Sequence, residues 1–169
     1  NNPSDGVMAE LKKKKFGRTS GVRHALTLEQ QRAFLGFLNN EKYVRWKPLF
    51  VAWFGTGCRI GEMIGLRWED LDMENRMISI NHCVTYYPRP EGTYQCEYGV
   101  SLPKTESGTR TIPMFDEVYD AFLEEKAMQK KLGISCTQKV EGMENFIFCN
   151  RFGNLHNPAS VNRAIKRIR

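Results

Sequence analysis

Long apolar runs are missing from this 169-residue sequence. No stretch of 18 or more consecutive apolar residues occurs, so no segment has the composition of a membrane-spanning helix. The chain starts with Asn1, Asn2 and Pro3, and no basic segment followed by an apolar one indicates a secretion signal. We therefore expect neither export nor a membrane partner, and we predict a cytoplasmic protein.

Paired cysteines are missing as well. The five cysteines are an odd number, form no C-x-x-C pair and match no zinc-site spacing: Cys58, Cys83, Cys96, Cys136 and Cys149. This pattern excludes a secreted disulfide framework and is typical of a reducing cytoplasm. His82 with Cys83 and Cys96 could offer three metal ligands, but residues near strands need no metal to explain them. We predict no metal site.

Basic residues dominate at both ends of the chain. Apolar residues make up 41% and charged residues 26%, as in one folded domain. The net charge is +6; residues 1–24 hold six basic and two acidic residues, and residues 159–169 hold four basic and no acidic ones. Such clusters attract a phosphate backbone without reading its sequence. We therefore predict contacts with double-stranded DNA from the following side chains: Lys12, Lys13, Lys14, Lys15, Arg18, Arg23, Arg151, Arg163, Lys166 and Arg167.

The sequence divides into two parts. Residues 1–24 show no apolar periodicity and are rich in Lys, Gly, Ser and Asn, so we predict a basic interdomain linker or arm that follows another domain. Residues 25–169 alternate between periodic apolar segments and turns, which predicts a folded domain.

Helical periodicity recurs along this domain. Helices are predicted over residues 28–39, 48–54, 59–66, 116–129 and from residue 158 onward. A capping box at Thr27 and Gln30 starts the first helix, and Asn157 followed by Pro158 starts the last. The apolar face of the first helix is formed by Leu28, Phe34, Leu35 and Leu38. That of the fourth is formed by Val118, Phe122 and Leu123.

Strand patterns lie between the third and fourth helices. Apolar alternation and β-branched or aromatic residues predict strands over residues 77–80, 83–87, 94–101 and 109–112, and a short strand over 146–149. Residues 83–101 are predicted to form a long hairpin with a type I turn at 89–92. The fold class is therefore α+β, mainly helical, with a small antiparallel β-sheet.

The most specific motif is TGCRIGEMIGLRWED, residues 56–70. A glycine-rich turn places Arg59 at the start of a helix, where free backbone N–H groups and the helix dipole favour an anion. A guanidinium stays charged and can donate two hydrogen bonds to two phosphate oxygens at once. Glu62 follows three residues later on the same side of the helix and can hold that guanidinium. On spacing alone, an ordinary surface ion pair explains the two residues better than a phosphate site does.

The wider motif resembles a known family. It matches the first arginine box of the tyrosine recombinases, or phage-type integrases, T-G-x-R-x-x-E-x-x-x-L-x-W-x-D, at all seven defined positions. A second segment, KTESGTRTIP at residues 104–113, is similar to that family's K-T-x-x-[S/G]-x-R-x-I-P hairpin, with Gly108 at the small-residue position. The resemblance covers nearly the whole chain. The long hairpin at 83–101 is most similar to integrases of conjugative transposons.

The resemblance implies a fold, a reaction and partners. The fold is the N-terminal part of a catalytic domain that breaks and rejoins DNA. In this family a tyrosine hydroxyl attacks a DNA phosphodiester, and the resulting 3′-phosphotyrosyl bond allows a mobile element to be integrated without a cofactor. Arg59 would bind the non-bridging phosphate oxygens and Lys104 would protonate the departing 5′-oxygen, supported by Glu62, Thr105 and Arg110. The expected partners are recombination sites in double-stranded DNA and further protomers, in a tetramer or a dimer on DNA.

Other parts of the family's active site are missing from the sequence. His24, His82 and His156 have no Arg three residues on, and all six tyrosines precede the expected position of the nucleophile. We therefore expect these residues to be inactive alone and the remaining catalytic groups to follow beyond Arg169. Alternatives are a type IB topoisomerase or telomere resolvase, and a catalytically inactive DNA-binding relative. A generic basic binding module explains the charge but not the two motifs.

Overall fold

The computed structural model describes residues 25–88, 95–103 and 108–168. The predictions for the 1–24 linker and its six basic residues, for the turn at 89–92, and for Lys104 and Thr105 lie outside these residues. Contacts between Cα atoms divide the chain into two units, residues 1–31 and 32–169. Of the first unit, residues 25–31 are described, and they include the beginning of the first helix.

The described residues form helices and short antiparallel strands, so the predicted α+β class is confirmed. The helices are α1 (Leu28–Phe37), α2 (Lys47–Thr56), α3 (Ile60–Gly65), α4 (Asp116–Leu132) and α5 (Pro158–Ile168), with 3₁₀ turns at Val44–Trp46 and Trp68–Asp70. The strands are β1 (Leu71–Asp72), β2 (Met77–Ile80), β3 (Cys83–Pro88), β4 (Cys96–Ser101) and β5 (Arg110–Pro113). Among the described helices, none is long and apolar enough to cross a membrane.

Helix α1 begins with the predicted capping box. The Gln30 N–H donates to Thr27 Oγ1 at 3.2 Å, and the Thr27 N–H donates to Gln30 Oε1 at 2.9 Å. The predicted apolar face was wrong at Leu28, which is 68% exposed. The inward face of the helix begins only at Phe34, whose ring meets that of Phe50 edge-on at a centroid distance of 5.1 Å. The helix ends at Phe37, two residues before the predicted boundary.

Helices α2 and α4 pack against each other at the centre of the second unit. Pro48 lies in the first turn of α2, as predicted, and Leu49, Phe50 and Ala52 are buried. The helix is not buried all round, because its last turn is only half-buried. It ends where Gly57 adopts a left-handed conformation with φ of 61° and donates its N–H to Trp53 O at 3.0 Å.

Helix α4 buries polar groups that its apolar pattern did not indicate. Val118 and Phe122 are buried as predicted, but Leu123 is 44% exposed. Glu125 and Gln129 lie inside in its place, and Gln129 Nε2 donates to Glu125 Oε1 at 2.8 Å and to Ile147 O at 2.6 Å. Because these hydrogen bonds satisfy the buried amide, the helix can direct a polar stripe inward. Burial raises the pKa of the Glu125 carboxyl.

The strands form two small sheets rather than the single sheet predicted. One has the order β1-β2-β5, with all pairs antiparallel and Ile78 opposite Ile112. The other is the predicted hairpin of β3 and β4, in which Tyr86 lies opposite Tyr98. The sheets are separate because β5 returns to pair with β2, while β3 packs on α3.

The region before α5 is buried but only partly regular. Residues 146–149 are all buried, yet they pair only through isolated bridges, Arg67 with Phe146 and Cys149 with Leu155, so the predicted strand was wrong. The start of α5 is as predicted, because Asn157 Oδ1 accepts the N–H of Ser160 at 2.8 Å. The inward face of α5 is formed by Val161, Ala164 and Ile168.

Candidate active site

A cleft of about 790 Å³ lies where the two sequence motifs meet. Arg59 and Glu62 reach it from the first motif, and Gly108 and Arg110 reach it from the second. Ser101, Leu102 and Pro103, at the end of β4, form another part of its lining. Pro103 and Gly108, the residues that flank the 104–107 segment, therefore both line the cleft that contains Arg59.

The carboxylate of Glu62 connects the two motifs. Its Oε1 accepts hydrogen bonds from Nη1 of Arg59 and Nη1 of Arg110, both at 3.1 Å. Its Oε2 accepts from the backbone N–H of Arg59 at 2.9 Å and from Nη2 of Arg110 at 2.7 Å. The residue is only 6% exposed. Four donors thus hold the buried carboxylate, and these hydrogen bonds lower its pKa from 4.5 to about 2, chiefly through Arg110.

Arg59 is anchored at one nitrogen and otherwise exposed. It stands just before α3 in an extended conformation, and its side chain is 81% exposed. Among the described residues, only Glu62 accepts a hydrogen bond from this guanidinium, through Nη1. The sequence suggested free backbone N–H groups here, but the Arg59 N–H is bonded to Glu62. The guanidinium, and not the short six-residue helix, is therefore the group able to bind an anion.

Arg110 makes the cleft electropositive without being as accessible as Arg59. It lies on β5 opposite Ile80 of β2, and its side chain is 35% exposed. The pairing of β5 with β2 brings it to Glu62 across 48 residues of sequence. Two guanidinium groups then share one carboxylate, which leaves a net positive charge for an anionic ligand. Hydrogen bonding to Glu62 raises the pKa of Arg110 further.

The absence of a side chain at Gly61 fixes the distance between α3 and β3. A Cβ built on Gly61 would lie 2.5 Å from Cys83 Sγ and 2.6 Å from the backbone oxygen of Val84. Real Cβ atoms essentially never come so close to other atoms, so only glycine allows this approach. Since Gly61 lies between Arg59 and Glu62, the same contact sets the position of both charged groups.

Gly61→Ala is expected to destabilise the 169-residue chain by about 1–3 kcal/mol, the usual cost of overpacking, because α3 must move away from β3. Urea unfolding followed by circular dichroism measures the loss. Gly36→Ala is the matched control: a Cβ there has nothing within 4 Å, and a helical alanine stabilises by about 0.5 kcal/mol relative to glycine. Equal stabilities of the Gly61 and Gly36 variants would contradict this role of Gly61.

Three further groups near the cleft were not given a function by the sequence. His82 is buried, with Nε2 2.7 Å from Gly65 O and Nδ1 2.5 Å from Asn81 Oδ1, so it ties the start of β3 to the end of α3. Burial raises the pKa of the Cys58 thiol and of the Cys83 thiol. Neither is therefore a thiolate near neutral pH, which argues against cysteine as a nucleophile here.

Four of the other predicted DNA-contacting residues lie in the described part of the chain, and none of these four is part of the cleft lining. Arg163, Lys166 and Arg167 are exposed on one side of α5, and Arg151 is exposed in the turn that precedes this helix. The guanidinium carbon of Arg151 lies 4.7 Å from the ring centroid of Phe152. Among the described residues, Arg59 and Arg110 therefore line the cleft, whereas these four basic residues lie on a surface outside its lining.

Glu62→Gln is expected to lower stability at neutral pH by about 3 kcal/mol and the melting temperature by roughly 10 °C. The pKa of Glu62 is lower in the folded chain than in the unfolded chain, so the unfolded chain takes up the proton first as the pH falls. The stability from the ionised carboxylate is complete above its unfolded pKa of 4.5 and is lost as the pH falls toward 2. Urea unfolding at several pH values measures this.

The stability of the Glu62→Gln variant should accordingly depend much less on pH than that of wild type between pH 4.5 and about pH 2. Glu69→Gln is the control, because Glu69 also pairs with an arginine but its side chain is 49% exposed. A Glu62→Gln variant as stable as wild type near neutral pH would show that the carboxylate does not hold the two arginines together.

Comparison with known proteins agrees with the two motifs. The sequence profile of the phage integrase family matches residues 24–169, so the chain belongs to the phage integrase family, the tyrosine recombinases. Within it, the chain resembles integrases of conjugative transposons. It is 34% identical over 127 residues to the transposase from transposon Tn916 of Enterococcus faecalis, covering 75% of this chain and 29% of that protein.

A second curated relative and the solved structures agree with this assignment. A XerC-like tyrosine recombinase of Caldanaerobacter subterraneus subsp. tengcongensis is 27% identical over 130 residues, covering 73% of this chain and 33% of that protein. A structure of the Tn1549 transposon integrase in complex with circular intermediate DNA superposes with a TM-score of 0.76 at 29% identity, covering 96% of this chain and 53% of that one. The XerA recombinase, at 13% identity and a TM-score of 0.58 over 89% of this chain and 42% of that one, shares the fold. The chain thus spans less than a third of the Tn916 transposase and about half of the Tn1549 integrase structure.

Proposed function

We propose that the protein containing this chain is an integrase that moves a mobile element by site-specific recombination, cleaving and rejoining DNA through a 3′-phosphotyrosyl intermediate. The observation that supports this most is the meeting of the two family motifs on one carboxylate. Glu62 is hydrogen-bonded to Arg59 of the first motif and to Arg110 of the second, and Arg59 stays exposed at the cleft. An ordinary surface ion pair between Arg59 and Glu62 would not explain why Arg110, distant in sequence, also binds the carboxylate.

The geometry fits a phosphate in the cleft. In our proposal Arg59 binds the non-bridging oxygens, because its exposed guanidinium keeps donors free while Glu62 fixes its orientation. Arg110 supports this arrangement through Glu62 and adds positive charge where negative charge develops in the transition state. Lys104, with Thr105 in support, would protonate the departing 5′-oxygen; Pro103 and Gly108 on either side of that segment line the same cleft.

The proposal is tested with the protein encoded by the complete reading frame and a nicked suicide duplex made from the joined ends of its element. We expect a covalent protein–DNA adduct, linked through a tyrosine to the 3′-phosphate, that survives denaturation and needs no added metal or nucleotide. A protein that binds the duplex but forms no adduct would contradict recombinase activity and favour a non-catalytic DNA-binding relative.

The outer surface of α5 supports a second part of the proposal, contact with the DNA duplex. Its exposed side chains include Arg163, Lys166 and Arg167, and no acidic residue occurs between residues 145 and 169. We propose that this helix face and the 1–24 arm neutralise backbone phosphates in a cytoplasmic, DNA-associated complex of several protomers, a dimer or a tetramer. The arm would connect residues 25–169, as part of the catalytic domain, to another domain.

Replacing the three cations of α5 together, in an Arg163→Gln, Lys166→Gln, Arg167→Gln variant, is expected to weaken binding to any duplex. The slope of log affinity against log salt should become shallower by about 3, since each lost phosphate contact contributes about 1. Fluorescence anisotropy over a salt series measures this. A triple glutamine variant of exposed lysines 130, 131 and 139 is the control, and an unchanged slope in the α5 variant would contradict the assignment.

A further inference from the structure

The chain turns sharply just before α5, at residues 150–154. The Asn150 N–H donates to Asn154 O at 2.8 Å, and the Gly153 N–H donates to Asn150 O at 3.0 Å. Asn150 Oδ1 also accepts the N–H of Phe152 at 2.8 Å and that of Asn154 at 3.2 Å. Four hydrogen bonds within five residues make this 150–154 turn a defined structure and not an open loop.

The 150–154 turn is also fixed to its surroundings. Gly153 is buried with φ of 75°, a conformation that favours glycine. Its oxygen accepts the N–H of Thr137 at 3.0 Å, and a Cβ built on it would lie 2.7 Å from Ser135 O. The sequence and the packing therefore hold the tip of the turn in one position.

What the turn presents is an aromatic ring beside a cation. Phe152 is 69% exposed, the largest fraction among the large apolar side chains that the structure describes. The guanidinium of Arg151 lies over this ring, 4.7 Å from its centroid. A single exposed apolar side chain is ordinary on a protein surface. An exposed ring with a cation on a turn held by hydrogen bonds is pre-ordered for a partner, because little conformational entropy remains to be lost on binding.

The charge around the turn indicates the partner. All charged residues from 145 to 169 are basic, including Arg151 and the exposed cations of α5, which begin with Arg163, nine residues beyond the turn. A second copy of this segment would be repelled, whereas a polyanion is attracted. We propose that the 150–154 turn is a DNA-contacting tip, in which Phe152 packs against deoxyribose or base edges in a groove and Arg151 donates to the adjacent phosphate. The inference rests on the proposed DNA-binding function and adds an apolar contact to it.

Phe152 and Arg151 should affect DNA affinity and its salt dependence in different ways. With the complete protein and a mixed-sequence duplex, Phe152→Ala is expected to weaken binding about tenfold, as for loss of a partly buried phenylalanine, with an unchanged salt slope. Arg151→Gln should weaken binding and lower that slope by about 1. Because both side chains are exposed, thermal unfolding should remain as in wild type.

Phe115→Ala is the matched control, since Phe115 is 64% exposed but is followed by the acidic Asp116 and Glu117, which repel DNA. Its DNA affinity should not change. Benzoylphenylalanine placed at position 152 should crosslink to a DNA strand on irradiation. Wild-type affinity of Phe152→Ala, or a crosslink to another protein chain in its place, would overturn the inference. Absence of DNA binding by the parent protein would overturn the proposed function as well, so the parent is measured in parallel.

Discussion

Arg59→Ala is expected to lower the rate of covalent adduct formation by about three orders of magnitude, as for loss of one pre-positioned donor to a developing charge. The physical reason is the arrangement at Glu62, which takes one nitrogen of Arg59 and leaves the other donors available at the cleft. The fold should survive, because the side chain is 81% exposed and Arg110 still holds the carboxylate. Single-turnover cleavage of a suicide duplex measures the effect.

Two further variants make this result specific. Arg59→Lys keeps the positive charge but loses the planar guanidinium that can donate two hydrogen bonds at once, so its rate of adduct formation should lie between those of wild type and Arg59→Ala. Arg76→Ala is the control: Arg76 is half-exposed, pairs with Asp116 and stacks on Tyr119 outside the cleft lining, and cleavage should be unchanged. A rate for Arg59→Ala within tenfold of wild type would remove Arg59 from the phosphate site.

Lys104→Ala is expected to slow cleavage by roughly two to four orders of magnitude with DNA binding retained, since general acids typically contribute this much. The departing 5′-oxygen needs a proton, and the residues that flank the Lys104 segment line the Arg59 cleft. A 5′-phosphorothiolate duplex has a leaving group that needs no proton, so cleavage of that substrate should return to near the wild-type rate. Cleavage rates on the two substrates are compared directly.

The rescue separates acid catalysis from charge or folding effects. Lys139→Ala provides the control, because Lys139 is 71% exposed and paired with Glu144 outside the cleft lining, and it should cleave both substrates normally. Arg59→Ala should cleave both substrates slowly, since this variant lacks the guanidinium that binds the phosphate but keeps the proton donor. A Lys104→Ala variant that remains slow on the phosphorothiolate would argue against the role as general acid.

Local sequence signals predicted the elements that carry the site. Helix ends are marked by hydrogen bonds to nearby residues, as at the capping residues Thr27 and Asn157 and at the left-handed Gly57. A short window of sequence therefore contains the information needed to predict them. The alternation in Met77–Ile80 likewise fixes which side chains face the core. Arg59 and Glu62 were predictable partners for the same reason, being three residues apart.

Long-range contacts could not be predicted in the same way. Sequence similarity placed Arg110 in a supporting role, but its two hydrogen bonds to Glu62 depend on β5 pairing with β2 and not with the hairpin. The inward Glu125 was missed because its partner is a polar residue on the same helix, and apolar periodicity cannot detect a satisfied buried polar pair. The close approach of α3 to β3 at Gly61 could not be predicted from the sequence either, since it depends on where Val84 lies in the folded chain.

In our proposal Arg59, positioned by Glu62, which Arg110 also holds, binds the phosphate at which DNA is cut. The most direct test is a crystal structure of the complete protein bound to a nicked duplex of its own recombination site. We predict a non-bridging oxygen of the scissile phosphate in hydrogen-bond contact with the Arg59 guanidinium, and Glu62 still hydrogen-bonded to both arginines. A scissile phosphate bound outside this cleft, with Arg59 directed away from it, would contradict the proposed role of Arg59.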